Sequence, residues 1–94
     1  IGNYPNPFGI NTKESGGTNI SFQLNQKTNN AKIEIFNIKG QIVKKIPVNS
    51  EPLPQKISWN GLNKNGKKVS SGIYFYCLKT DNSRSKIKKM LLIN

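Results

Sequence analysis

The sequence predicts an all-β fold, an antiparallel sandwich of about seven short strands. Three observations predict it. Apolar residues alternate with polar ones through Ile20, Phe22 and Leu24, through Ile33 and Ile35, through Ile57 and Trp59, and through Tyr74, Tyr76 and Leu78; this is the period of a strand with one buried face. Clusters of Gly, Asn, Ser and Pro separate these runs and supply turns. No window carries the periodicity of an amphipathic helix.

Taken in order, the first nine residues form the linker into the domain and a first-strand segment. Pro5 and Pro7 hold the backbone extended and exclude helix, and Tyr4 and Phe8 flank them. A Gly-, Ser- and Thr-rich loop follows, then the strand through Ile20, Phe22 and Leu24. Residues 31–38 alternate again, with Ile33 and Ile35 facing inward and Lys32 and Glu34 outward. Asn37 to Gly40 reads as a tight hairpin turn in which Gly40 takes a positive φ. Residues 41–46 form the return strand. Residues 47–54 contain three prolines and read as a loop or irregular edge.

A strand carrying Ile57 and Trp59 and a polar loop to Gly66 come next. The stretch from Gly66 to Asn94 organises the rest: a turn, an aromatic strand, a second turn at Thr80 to Ser83, and a closing apolar strand. On the aromatic strand Tyr74, Tyr76 and Leu78 share one face, while Ile73, Phe75, Cys77 and Lys79 share the wetter one. The last strand is ambiguous in phase, because Ile87 and Leu91 match one face and Met90 and Leu92 the other. A β-bulge near Lys88 and Lys89 reconciles them. The predicted core is Ile20, Phe22, Leu24, Ile33, Ile35, Ile57, Trp59, Tyr74 and Tyr76.

With 94 residues the chain fits one domain spanning residues 1–94. Only roughly 60–65% of the unfolded surface of a chain this size is buried on folding, so the core is thin. No run approaches the ~18 apolar residues of a membrane span. Ile1 to Tyr4 lacks the basic start and apolar core of a signal peptide. A chain that begins without Met is expected to be a piece of a longer precursor.

The net charge is +11, from fifteen basic and four acidic residues. Such a balance suits an anionic partner: nucleic acid, a membrane surface or an acidic polysaccharide. The lysines are dispersed, however, and Arg84 is the one arginine. Base and phosphate recognition favour Arg, so no specific nucleic-acid site is expected. Lysines also protect sheet edges, and the residual expectation is a loose contact with an anionic surface polysaccharide.

Catalysis is disfavoured. The chain has no His, and its carboxylates Glu14, Glu34, Glu51 and Asp81 fall on different elements. Cys77 is the one cysteine, has no imidazole to activate it, and reads as a small packing residue. The loop from Gly61 to Gly66 superficially resembles a calcium loop but carries no carboxylate, so no metal or other cofactor is expected. Asn19-Ile20-Ser21 matches a glycosylation sequon within a predicted strand. Trp59 could stack on a sugar, but its alternation with Ile57 argues for the core. The tyrosines likewise read as packing residues with a polar tip.

Several segments, in this order and spacing, resemble one family. They are Tyr4-Pro5-Asn6-Pro7-Phe8, the run from Ile33 to Gln41, Ile57 to Gly61, Asn65 to Val69, Ser71-Gly72-Ile73-Tyr74, and Lys89-Met90-Leu91-Leu92. Together they resemble the type A C-terminal sorting domain of the type IX secretion system of Bacteroidota-like bacteria, and the related Ig-like domain of flagellar-hook capping proteins. The resemblance covers almost the whole chain. It implies an Ig-like sandwich at the end of a larger secreted cargo that reaches the cell surface by way of the periplasm. It also implies recognition by an outer-membrane translocon and cleavage by a sortase-like peptidase. Mapped by motif, the early family residues are Tyr4, Pro5, Asn6, Pro7 and Phe8, the Gly-x-Tyr residues are Gly72 and Tyr74, and the terminal signal is Lys88, Lys89, Met90, Leu91 and Leu92. Two departures stand out. Asn60 and Asn63 occupy positions where many relatives carry Asp, and Cys77 sits where the family is usually polar or basic.

The terminal strand, if it is an edge, could be captured by strand addition, and deletion of Met90 to Asn94 is expected to block surface delivery while the rest still folds. The rival reading is a passive Ig-like spacer or a carbohydrate-binding module of a multidomain extracellular enzyme.

Overall fold

The computed structural model describes residues 2–4, 8–9, 17–81 and 83–93, the first two groups through their backbone alone. Pro5, Asn6 and Pro7 lie outside the described residues, as do the side chains of Tyr4 and Phe8.

The chain forms β1 (Gly2–Tyr4), β2 (Phe8–Gly9), β3 (Thr18–Phe22), β4 (Ala31–Phe36), β5 (Ile42–Pro47), β6 (Gln55–Trp59), β7 (Gly72–Thr80) and β8 (Lys88–Ile93). No helix occurs among the described residues, so none is long and apolar enough to cross a membrane. The strands build two sheets, one ordered β1-β3-β6 and one ordered β2-β8-β7-β4-β5. All pairings are antiparallel except that of β2 with the end of β8. The predicted sandwich is therefore what forms, with two very short strands added by residues 2–4 and 8–9.

The core lies between the sheets. Ile20, Phe22 and Trp59 face it from the smaller sheet, and Ile33, Ile35, Tyr74, Tyr76, Met90 and Leu92 from the larger. Leu24 continues the alternation of β3 beyond its last ladder residue and is also buried. Ile57 is half-buried and packs against this cluster. Each fully buried aliphatic or aromatic side chain contributes about 1.5–3 kcal/mol. With no disulfide present, as Cys77 is a free thiol, that burial is what holds the sheets together.

Two expectations need correction. Glu34 faces away from the inter-sheet core, as its phase requires, yet it is only 2% exposed. β4 is an inner strand flanked by β5 and β7, and the Arg84 guanidinium reaches Glu34 from beside β7. The bulge falls earlier than expected. Lys79 bridges Arg84, whereas Tyr76 pairs Lys88, so the ladder slips by one residue between Arg84 and Lys88. That slip resolves the phase, with Met90 and Leu92 inward and Ile87 and Leu91 outward.

The edge strand β5 shows how the lysines serve the fold. It carries Lys44 and Lys45 and ends at Pro47, all devices that blunt a sheet edge. The Lys64 N–H donates to the Val43 carbonyl at 2.9 Å, docking the following loop on the same edge.

Candidate functional site

The terminal motif folds as β8, and the structure divides it. Met90 and Leu92 are 1% and 0% exposed, whereas Leu91 is 40% exposed and Lys88 and Lys89 lie at the surface. Met90 stands opposite Tyr74 and Leu92 opposite Gly72 across the β7–β8 pair. Phe8 stands opposite Leu92 on the other side, in the parallel β2–β8 pair. Three motifs separated by up to eighty-odd positions in sequence thus converge on Leu92. β8 is not a bare edge, because β2 covers it at Leu92 and Ile93. A partner can touch Lys88, Lys89 and Leu91 in the folded domain, but not Met90 or Leu92.

The Gly-x-Tyr motif has a local cause. Gly72 opens β7 with φ of +150°, a conformation that L side chains rarely adopt. Two residues on, the Tyr74 hydroxyl donates to the Ser70 carbonyl at 2.7 Å, tying the strand to the segment that leads into it. A tyrosine bonded in this way to backbone a few residues upstream is a recurring device of Ig-like sandwiches. The Tyr74 ring meets Trp59 edge to face, with centroids 5.5 Å apart and planes at 66°, a favourable aromatic geometry. Trp59 in turn donates from Nε1 to the Leu62 carbonyl at 2.9 Å. Its indole is buried and satisfied, so it is a core residue and not a sugar platform.

Two turns share one construction that the sequence reading did not pick out. In the first, Asn37 Oδ1 accepts the N–H groups of Lys39 and Gln41, each at 3.0 Å. In the second, Asn63 Oδ1 accepts those of Asn65 and Lys67, at 2.9 and 3.1 Å. In both, a glycine N–H, that of Gly40 or Gly66, donates back to the Asn carbonyl at 2.9 Å. The repeated Asn-x-x-Gly spacing was the available signal. These asparagines are turn-builders, and their oxygens are occupied by backbone donors.

The outer face of the five-stranded sheet is the other feature of note. Cross-strand pairs Lys32–Lys79, Glu34–Cys77 and Phe36–Phe75 run along β4 and β7. Lys89 and Leu91 of β8 stand opposite Phe75 and Ile73, and Lys45 of β5 opposite Glu34. Arg84 Nη2 approaches Glu34 Oε1 at 3.9 Å, and that oxygen accepts no hydrogen bond among the described residues. Beside it Cys77 is fully buried. Burial pushes its thiol up from the usual range, with Arg84 and Lys79 opposing and Glu34 reinforcing the shift. It is a packing residue, as expected. Phe36, Ile38, Phe75, Arg84 and Ile87 line a groove of about 380 Å³ on this face.

Comparison with known proteins places the fold. The family model of the FlgD Ig-like domain matches residues 9–84. Among solved structures, the chain superposes on latent PorU from Porphyromonas gingivalis with a TM-score of 0.75 and 23% identity, covering 99% of this chain and 9% of that one. It superposes on PorZ, described as a surface component of the type IX secretion system of the same organism, with a TM-score of 0.68 and 20% identity, covering 100% of this chain and 11% of that one. The FlgD structure from P. aeruginosa matches with a TM-score of 0.62 and 20% identity, over 78% of this chain and 58% of that one. The chain thus spans about a tenth of the length of PorU and PorZ. No curated protein matches the sequence. The resemblance drawn from the ordered motifs holds for the flagellar-hook capping domains through the family model, and the PorU and PorZ structures share the fold. The chain belongs to the FlgD Ig-like domain family.

Proposed function

We propose that this domain is a non-catalytic sorting signal, carried at the C-terminus of a larger secreted cargo and read by the outer-membrane translocon of a type IX system. The observation that carries the reading is the convergence of the early, Gly-x-Tyr and terminal family motifs on Leu92. The likeness over the whole chain to domains within PorZ and PorU supports it. In this reading the core half of β8, Met90 and Leu92, keeps the signal folded. The surface half, Lys88, Lys89 and Leu91, is what the translocon touches. A sortase-like peptidase then separates domain from cargo at the cell surface, where exposed lysines contact anionic polysaccharide.

The rival carbohydrate-binding reading loses its candidate platforms on the core face, since Trp59, Tyr74 and Tyr76 are buried. The test fuses the chain to a periplasm-directed fluorescent reporter in a bacterium that has a type IX system. Surface delivery of the wild-type fusion is expected. Lys88→Glu, Lys89→Glu and Leu91→Ser together should leave a folded reporter in the periplasm. Retention of the wild-type fusion, or normal delivery of the triple variant, overturns the corresponding part. Deletion of residues 90–94 is a poor test, because it strips two core side chains and is expected to unfold the domain.

A further inference from the structure

Large exposed apolar side chains are not scattered over this molecule. Among the described residues Ile38, Ile73, Ile87, Leu91 and Ile93 lie on the outer face of the five-stranded sheet or at its end, Ile42 flanks Phe36 from β5, and Leu53 stands elsewhere. Such concentration on one face marks an interaction surface more than chance exposure. Ile38 and Ile87, 72% and 55% exposed, form the rims of the groove, and half-buried Phe36 and Phe75 lie between them. Beyond the groove the same face is cationic. Lys32, Lys45 and Lys79 are on it, Arg84 and Lys89 stand beside the groove, and against these five are the buried carboxylate of Glu34 and that of Asp81, which accepts from Asn30 Nδ2 at the end of the β4–β7 pair.

This charge decides the occupant. A second copy would bring five cations and two carboxylates against the same set, at a net cost in like-charge repulsion. We propose that the outer face of the five-stranded sheet is a docking surface for an acidic, apolar protein segment, whose large side chain enters the groove between Ile38 and Ile87 while its carboxylates meet Arg84 and the neighbouring lysines. Hydrophobic anchoring in the groove gives residence, and the cationic end gives rate and orientation. The inference goes beyond the sorting reading: it shares Lys89 and Leu91 with it but rests on the groove at Ile38 and Ile87, which the sorting reading does not use.

The test is an amide-shift titration of the isotope-labelled chain with three probes. They are a soluble peptide of alternating Glu and Leu with one central Phe, the same peptide with Lys for Glu, and vesicles containing one part in three of anionic phosphatidylglycerol. Saturable shifts at Phe36, Ile38, Phe75 and Ile87 are expected with the Glu peptide, with affinity at least about tenfold weaker for the Lys peptide. Ile38→Ser with Ile87→Ser should weaken binding at least about fivefold. Both positions are exposed, so the variant keeps a dispersed native spectrum. Equal affinity for the two peptides, shifts on another face, or indifference to the double substitution would each overturn the proposal. So would binding to vesicles without binding to the Glu peptide, or self-association of the chain through this face. Failure here leaves the reporter-delivery result untouched, and the reverse is also true.

Discussion

Gly72 stands directly opposite Leu92 in the β7–β8 pair, and each is required for a different reason. Leu92 is fully buried and sits between β7 and β2. Leu92→Ala should cost about 2–5 kcal/mol, the range for a buried leucine whose surroundings relax only partly. Gly72→Ala meets no neighbouring atom but must hold φ at +150°, and should cost about 1–3 kcal/mol from backbone strain alone. Urea denaturation of the two variants checks both values. A Gly72→Ala protein as stable as wild type would remove the structural reason for that motif glycine.

Gly17 makes a different demand. A Cβ there would lie 2.3 Å from the Trp59 carbonyl oxygen and 3.0 Å from the Asn60 Cα. The obstacle is backbone, which cannot swing aside. Gly17→Ala should therefore open the β3–β6 pair at Thr18 and Trp59. The expected readout is a lowered Tm with a changed tryptophan emission, whereas Gly40→Ala, open in space, is penalised only by its turn geometry.

The paired turns give a graded prediction. Asn37→Ala and Asn63→Ala each remove an acceptor that serves two backbone N–H groups and should cost about 1 kcal/mol apiece. Asn63→Asp keeps the acceptor and should be near neutral. Thermal unfolding of the three variants orders them, and a destabilised Asn63→Asp protein would contradict this account of the turn.

The core was legible in the sequence because strand alternation is a local signal, and Ile20, Phe22, Ile33, Ile35 and Trp59 each report it within a few positions. The resemblance located Gly72, Tyr74 and the terminal motif but not their contact, since nothing local says that residues 8, 72 and 92 will be neighbours. Glu34 was misread for a related reason. Its phase correctly placed it on the outer face, but whether that face is wet depends on a segment fifty residues later. The phase of β8 needed the position of the slip, which is set by pairing with β7 and not by β8 itself.

Alkaline pH should weaken the domain. Burial raises the Tyr74 and Tyr76 phenols above their usual 10.0 and the Cys77 thiol above its usual 9.0. The folded state therefore holds protons that the unfolded chain gives up. Stability from these groups is full below the unfolded values and is lost as pH rises through the folded ones. Urea midpoints should be flat between about pH 7 and 8.5 and fall beyond about pH 9, first through Cys77 and then through the tyrosines. Cys77→Ala should shift the onset of that fall to higher pH.

The outer face offers the sharpest electrostatic test. Glu34 is buried, its Oε1 accepts no hydrogen bond among the described residues, and its ion-pair contact with Arg84 spans 3.9 Å. Half of the Arg84 side chain remains exposed, so solvent screens the pair and its attraction is modest. The cost of burying the carboxylate is not screened to the same degree. Removing Arg84 alone should then leave a buried charge without its cation, and Arg84→Ala should destabilise by about 1–3 kcal/mol. Removing the carboxylate instead, with Glu34→Met of similar volume, should be neutral or stabilising. In the Glu34→Met background Arg84→Ala should cost little, because no charge is left to orphan. The four proteins form a double-mutant cycle readable by urea denaturation at neutral pH. An Arg84→Ala cost that persists unchanged without Glu34 would show that Arg84 acts by covering Cys77 and the groove, and not through the carboxylate.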